Sequence, residues 1–133
     1  MIDQMEKTDI NQSIHGIGTD IIEIERIRKA IKRHNTSFQK KLFTIKEQHY
    51  CLKHRDPAPF FAGRFAAKEA IAKALGTGIG NILSFVDIEI INDDKGKPIA
   101  HFSDPIHSRF GALHILLSIS HCKLFATAVA IWI

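Results

Sequence analysis

GRFAAKEAIAKALGTGIG, residues 63–80, is the stretch around which the rest of the chain has to be arranged. Alanine is the best helix former and glycine the usual left-handed terminator, so the stretch predicts a helix from near Phe60 to Gly76. Ala62, Ala66, Ala67, Ala70, Ala72 and Ala74 keep it slim, so other backbone or a ligand can come close. Its one acid, Glu69, stands between Lys68 and Lys73. Glu69 and Lys73 are four residues apart on one face, and the ordinary reading is an ion pair of roughly 0.2–0.5 kcal/mol. Past the helix, Gly76-Thr77-Gly78-Ile79-Gly80 offers a run of backbone N–H groups suited to phosphate. It is not a P-loop, because GxxxxGK[ST] is absent.

Upstream, HGIGTDIIEI (15–24) mixes glycine with β-branched residues and predicts a strand, with Asp20 near its end. A carboxylate in so apolar a strand is costly to bury unless it is paired or binds a metal. Ile24, Ile27 and Ile31 then follow helical spacing, so a helix starts soon after Asp20. From Arg26 to Lys41 there are seven basic residues and no acidic one. A solvated face is the common fate of such a run, but a single sign of charge favours a docking surface for something anionic.

Thr44 with Glu47 has capping-box spacing and predicts a helix over about 45–54, stopped by Asp56-Pro57 and Pro59. SFVDIEII (84–91) alternates like a strand with one wet face, NDDKGKP (92–98) is a turn, and residues 98–102 return as its partner. Ser103 and Pro105 suit a helix start. Residues 114–120 and 124–132 read as two closing strands. Helices early and strands late predict a single α+β domain over 14–133, after a polar extension at 1–13.

The 133 residues carry a net charge of +4, 45% hydrophobic and 24% charged residues, as in a globular protein. Residues 1–13 lack the basic start and apolar middle of a secretory signal, and the most apolar run, 124–133, is too short to span a bilayer as a helix. A cytoplasmic protein without a membrane partner is expected. Cys51 and Cys122 have no CxxC spacing and are expected to be reduced and structural. RNA-binding signatures are missing and aromatics do not interleave with the charge, which argues against nucleic acid.

Three stretches carry a resemblance: GIGTDIIEIERI (16–27), GRFAAKEAIAKALGTGIG (63–80) and SISH (118–121). Together they resemble the holo-acyl-carrier-protein synthase family, the small bacterial 4'-phosphopantetheinyl transferases, and SFVDIEIINDDKGKP (84–98) fits the same pattern. The likeness runs over about 14–132 and implies the phosphopantetheinyl transferase fold, helices packed on an antiparallel sheet. It implies transfer of the 4'-phosphopantetheine arm of coenzyme A to a serine of apo acyl carrier protein in fatty acid biosynthesis, with release of adenosine 3',5'-bisphosphate.

By that resemblance Asp20 and Glu69 are the catalytic acids and hold Mg²⁺, and Glu69 is the candidate base, directly or by way of a metal-bound water. Arg64, Lys73, Gly76, Thr77, Gly78 and His121 are expected around coenzyme A. Arg26, Arg28, Lys29, Lys32 and Arg33 are expected to meet the acidic carrier. A homotrimer with active sites between subunits is implied as well. The alternative kept open is another Mg²⁺-dependent transferase acting on a nucleotide-like pyrophosphate.

Overall fold

The computed structural model describes residues 14–133; the expected extension at 1–13 lies outside the described residues. Strand β1 (Gly16–Glu23) passes without a loop into α1 (Ile24–Leu42), which is followed by α2 (Ile45–Leu52) and α3 (Ala58–Leu75). A 3₁₀ turn (Phe85–Asp87) leads into the hairpin β2 (Ile88–Asn92) and β3 (Pro98–Phe102), then α4 (Asp104–Phe110), β4 (Ile115–His121) and β5 (Phe125–Trp132). The sheet β1-β5-β4 is antiparallel throughout, with Asp20 opposite Ala128 and His121 opposite Ala126. The α+β expectation holds.

The alanine helix lies directly on this sheet. A methyl added at Gly18 would sit 1.9 Å from the Ala70 carbonyl oxygen, and one at Gly16 would sit 1.9 Å from that of Ala74. Small residues therefore face each other across the contact, with Ala126, Ala128 and Ala130 of β5 buried beside them. The close approach anticipated for a ligand or backbone is taken up by the backbone of β1. Around α3 the core is completed by Phe43, Phe61, Ile71, Leu83, Ile88, Ile90 and Ile106, each at most 1% exposed.

The capping box at Thr44 forms as expected, Thr44 N–H donating to Glu47 Oε1 at 2.9 Å and Glu47 N–H to Thr44 Oγ1 at 3.3 Å. Two local expectations are corrected. The strand predicted from Ser84 begins only at Ile88, because Asp87 accepts from the Ser84 N–H and hydroxyl and bends the chain into a turn. Ser103 precedes α4 but does not cap it, because its hydroxyl donates to Asp87 Oδ1 at 2.7 Å. Cys51 is fully buried and its thiol pKa is pushed up to about 12 by burial, so it is inert packing; Cys122 is exposed and free, not structural.

The second face of the β1-β5-β4 sheet is bare in the single chain. Ile17, Ile21, Leu116, Phe125 and Val129 point outward from it, 38% to 64% exposed. Among the described residues no helix is long and apolar enough to cross a membrane.

Candidate active site

Alternation along β1 turns Gly16, Gly18, Asp20 and Ile22 toward α3 and the odd-numbered residues away. Asp20 thereby faces the middle of α3, where Glu69 emerges half-buried. Burial first, and then the Asp20 carboxylate, push the Glu69 pKa above its ordinary value, with Lys73 opposing. The two acids thus share one field. Lys73 does not pair with Glu69 as its spacing allows; its ammonium reaches across to the Thr19 carbonyl at 2.8 Å and Asp20 Oδ1 at 3.2 Å. Two carboxylates beside one ammonium leave an uncompensated negative charge. Their hard oxygens suit Mg²⁺, which commonly takes one or two protein carboxylates and fills its other positions with phosphate and water. No group of three or more His, Cys, Asp or Glu side chains that could hold a metal occurs among the described residues. The donor set fits an ion that brings much of its own shell.

Arg64 and His121 belong elsewhere, at the cleft beside the first half of α3. They line about 150 Å³ of space with Tyr50, Phe60, Gly63 and Asn92. Arg64 is 4% exposed, donates to the Ile90 carbonyl at 3.2 Å and to Asn92 Oδ1 at 3.4 Å, and lies 4.0 Å from the centre of the Tyr50 ring. His121 meets Phe60 edge-on at 5.6 Å, and the Phe60 ring is itself stacked on His54. Such a cleft can hold a flat ring against aromatic surfaces and an anion against Arg64. Within the single chain the cleft around His121 contains neither Lys73 nor Gly76–Gly78, so the residues expected around coenzyme A fall in two places. Tyr50, Phe60 and Asn92 were missed, because nothing local in a tyrosine, a phenylalanine or an asparagine announces a shared wall.

The glycine run is also corrected. Gly76 is the left-handed cap of α3, with φ +77°. Its N–H and those of Thr77 and Gly78 return to the Ala72 and Lys73 carbonyls, and the Gly80 N–H goes to Leu83. These donors satisfy the helix end and are not free for phosphate, and a helix C-terminus carries the unfavourable pole for an anion.

The basic residues of α1 divide into two sets. Arg26, Lys29 and Arg33 border one groove with Ala30 and His34. Arg28 and Lys32 border another, floored by Ile31, Leu52, Pro57 and Ala58, about 110° further round the helix at 100° per residue. Arg28 is further tied to Glu25 and, at 2.6 Å, to Asp56, whose pKa it holds down. The single docking surface expected from the sequence is therefore two faces, and the charge of Arg28 is compensated within the chain.

The profile of the 4'-phosphopantetheinyl transferase superfamily matches residues 16–130. The chain belongs to this superfamily. Within the transferase superfamily it is similar to holo-[acyl-carrier-protein] synthase of Chlamydia felis, 54% identical over 115 residues, 86% of this chain and 93% of the relative. The Protochlamydia amoebophila synthase is 51% identical over 88% of this chain and 96% of its own. Among solved structures, the Bacillus anthracis synthase in complex with CoA (3',5'-ADP) is 44% identical with a TM-score of 0.77, covering 90% of this chain and 96% of that one. The Helicobacter pylori synthase in complex with coenzyme A is 38% identical with a TM-score of 0.80, covering 88% and 99%. With relatives of this kind, the alternative of another transferase acting on a nucleotide-like pyrophosphate gives way.

Proposed function

We infer that the chain transfers the 4'-phosphopantetheine arm of coenzyme A to a serine hydroxyl of apo acyl carrier protein. The observation that carries this reading is the carboxylate pair, Asp20 on β1 and Glu69 on α3, facing each other beside Lys73 in a chain of this superfamily. Asp20 and Glu69 would hold Mg²⁺, which when bound neutralises charge on the pyrophosphate during transfer. Lys73 turns its ammonium from Thr19 toward a phosphate oxygen. Glu69, with its proton affinity raised by burial and by Asp20, accepts the serine proton. The serine oxygen forms a bond to the phosphorus that bears the pantetheine arm. The bond from that phosphorus to the bridging oxygen breaks, and adenosine 3',5'-bisphosphate leaves with the electron pair.

The cleft of Arg64, His121, Tyr50 and Phe60 suits the adenosine end. Gly76, Thr77 and Gly78 shape the end of α3 and are assigned no phosphate. For the carrier, the Arg26, Lys29 and Arg33 face is the docking surface, since opposite charge steers an acidic helical protein and fixes its orientation. The bare apolar sheet face supports a homotrimer, in which copies of the chain cover Ile17, Ile21, Leu116 and Val129. Cytoplasmic fatty acid biosynthesis is the setting this activity serves.

The deciding experiment incubates the protein with coenzyme A, Mg²⁺ and an apo carrier and reads the carrier by mass spectrometry. One added phosphopantetheine arm is expected. Folded protein that modifies none of several carriers would overturn the reading. A mass from light scattering three times that of the chain is expected for the assembly.

A further inference from the structure

Lys68, next to Glu69 on α3, is completely buried, and so is its partner Glu47 on α2. The Lys68 ammonium donates to Glu47 Oε1 at 2.6 Å, to the Leu42 carbonyl at 2.8 Å and to the Phe85 carbonyl at 2.9 Å. All three of its N–H groups are used, on acceptors from the end of α1, from α2 and from the 3₁₀ turn. Glu47 in turn accepts from the Thr44 N–H through Oε1 and from the Ile90 N–H, at 2.9 Å, through Oε2. One turn before Lys68, Arg64 takes the Ile90 carbonyl. Ile90 of β2 is thus held at both backbone groups by side chains of α2 and α3.

The same helix is held to β1 by the two Lys73 bonds and by the close approach of Ala70 and Ala74 to Gly18 and Gly16, while its apolar residues by themselves mark little. Ala62, Ala66, Ala67, Ala70, Ile71, Ala72 and Ala74 are buried around the whole circumference of α3, so no apolar stripe tells it which side to turn inward. Turning Lys68 out of its socket would strand the Leu42 and Phe85 carbonyls and leave Glu47 unpaired in the core.

Lys68 and Glu69 are consecutive and their directions differ by a fixed 100°. Holding one therefore aims the other. A carboxylate about 6 Å from the helix axis moves by about 1 Å when the helix turns by only about 10°. Misplacement of about 1 Å at a reacting group can lower a rate on the order of 10²-fold.

We propose that the buried Glu47–Lys68 pair is a positioning device for the transfer centre, setting the rotation of α3 so that Glu69 meets Asp20. The proposal rests on the transferase reading above. Neither residue touches the reacting groups, and their effect passes through the helix.

The test compares wild type with Glu47→Leu/Lys68→Met, which replaces the pair with apolar side chains of similar size, and with the milder Glu47→Gln. Folding and assembly are followed by circular dichroism and light scattering. Transfer kinetics are measured, and Mn²⁺ binding in the presence of coenzyme A is measured by electron paramagnetic resonance. For the folded double variant, kcat is expected to fall by about 30- to 100-fold and half-saturating Mn²⁺ to rise by about 10-fold. The KM for coenzyme A is expected to stay within about 3-fold, because the cleft around His121 and Phe60 is separate. Glu47→Gln should move the same quantities by about 3- to 10-fold, and it decides the matter if the double variant does not fold. Wild-type kcat and Mn²⁺ binding in a folded variant, with only its melting temperature lowered, would reduce the pair to a structural role and overturn the proposal. Absence of transfer by wild type would instead overturn the transferase reading, and the Mn²⁺ comparison would still decide whether the pair positions the acids.

Discussion

Helices α1 and α3 are close in length and opposite in design. The first buries one stripe, Ile24 and Ile27 with Ile31 and Phe38 beside them, and shows its charges to solvent. The second is buried almost all round, and its polar residues are the exceptions: Arg64 and Lys68 inward, Glu69 at the boundary and Lys73 outward. What α1 contributes lies on its surface and is shared among several side chains. What α3 contributes depends on single positions set by its packing. Substitutions should accordingly be sharp on α3 and graded on α1.

The largest effect is expected where α3 touches β1. Gly18→Val would drive a side chain into the Ala70 carbonyl, and backbone on both sides leaves nothing flexible to yield. A loss of about 3 kcal/mol or more is expected, read as a collapse of the melting temperature or of soluble yield. A well-folded Gly18→Val protein would break the comparison at its root.

Next comes Glu69→Gln, which should lower kcat on the order of 10²- to 10³-fold with little change in folding. The sign of its stability effect follows from the raised pKa. A carboxyl that holds its proton more tightly when folded opposes folding once the pH rises above the unfolded value, so glutamine removes a small penalty at pH 7. Without divalent cations the melting temperature at pH 7 should stay level or rise by about 1–2 °C, and this difference should vanish toward pH 3. A large fall would make Glu69 a structural residue.

On α1, Arg33→Glu should raise the KM for the carrier by about 10-fold at low ionic strength and leave that for coenzyme A unchanged. The effect should shrink in 0.5 M salt, where the screening length falls to about 4 Å. Equal effects on both substrates would remove the docking face. The smallest change sharpens the two-face division: Arg28→Ala should move the carrier KM by less than about 2-fold and the melting temperature by less than about 2 °C. A carrier effect matching that of Arg33→Glu would restore the single surface read from the sequence.

Signals that depend on near neighbours are legible in the sequence itself. The box at Thr44 and Glu47, the stop at Gly76 and the stripe of α1 involve residues only a few positions apart, and each lies where the spacing puts it. The facing of Asp20 and Glu69 rests on resemblance at that level, since a strand and a helix 49 positions apart in the chain meet only through the sheet. Lys68 gives no sign of burial, because its acceptors come from residues 42, 47 and 85. Its neighbour Lys73 differs from it by nothing visible in composition, yet is 53% exposed at the side chain. The free N–H groups expected at Gly76–Gly78 fail for a local reason: the end of a helix has carbonyls to satisfy before any phosphate.

The two bonds to Ile90 have a consequence beyond geometry. β2 pairs with β3 on one side only, and a strand with an open side is a template for unwanted pairing and fibre growth. At the middle of that open side the N–H is already bound to Glu47 and the carbonyl to Arg64, both deep in the protein. An incoming strand finds no hydrogen bonds there, and the hairpin is guarded against aggregation by two side chains that are buried or nearly so.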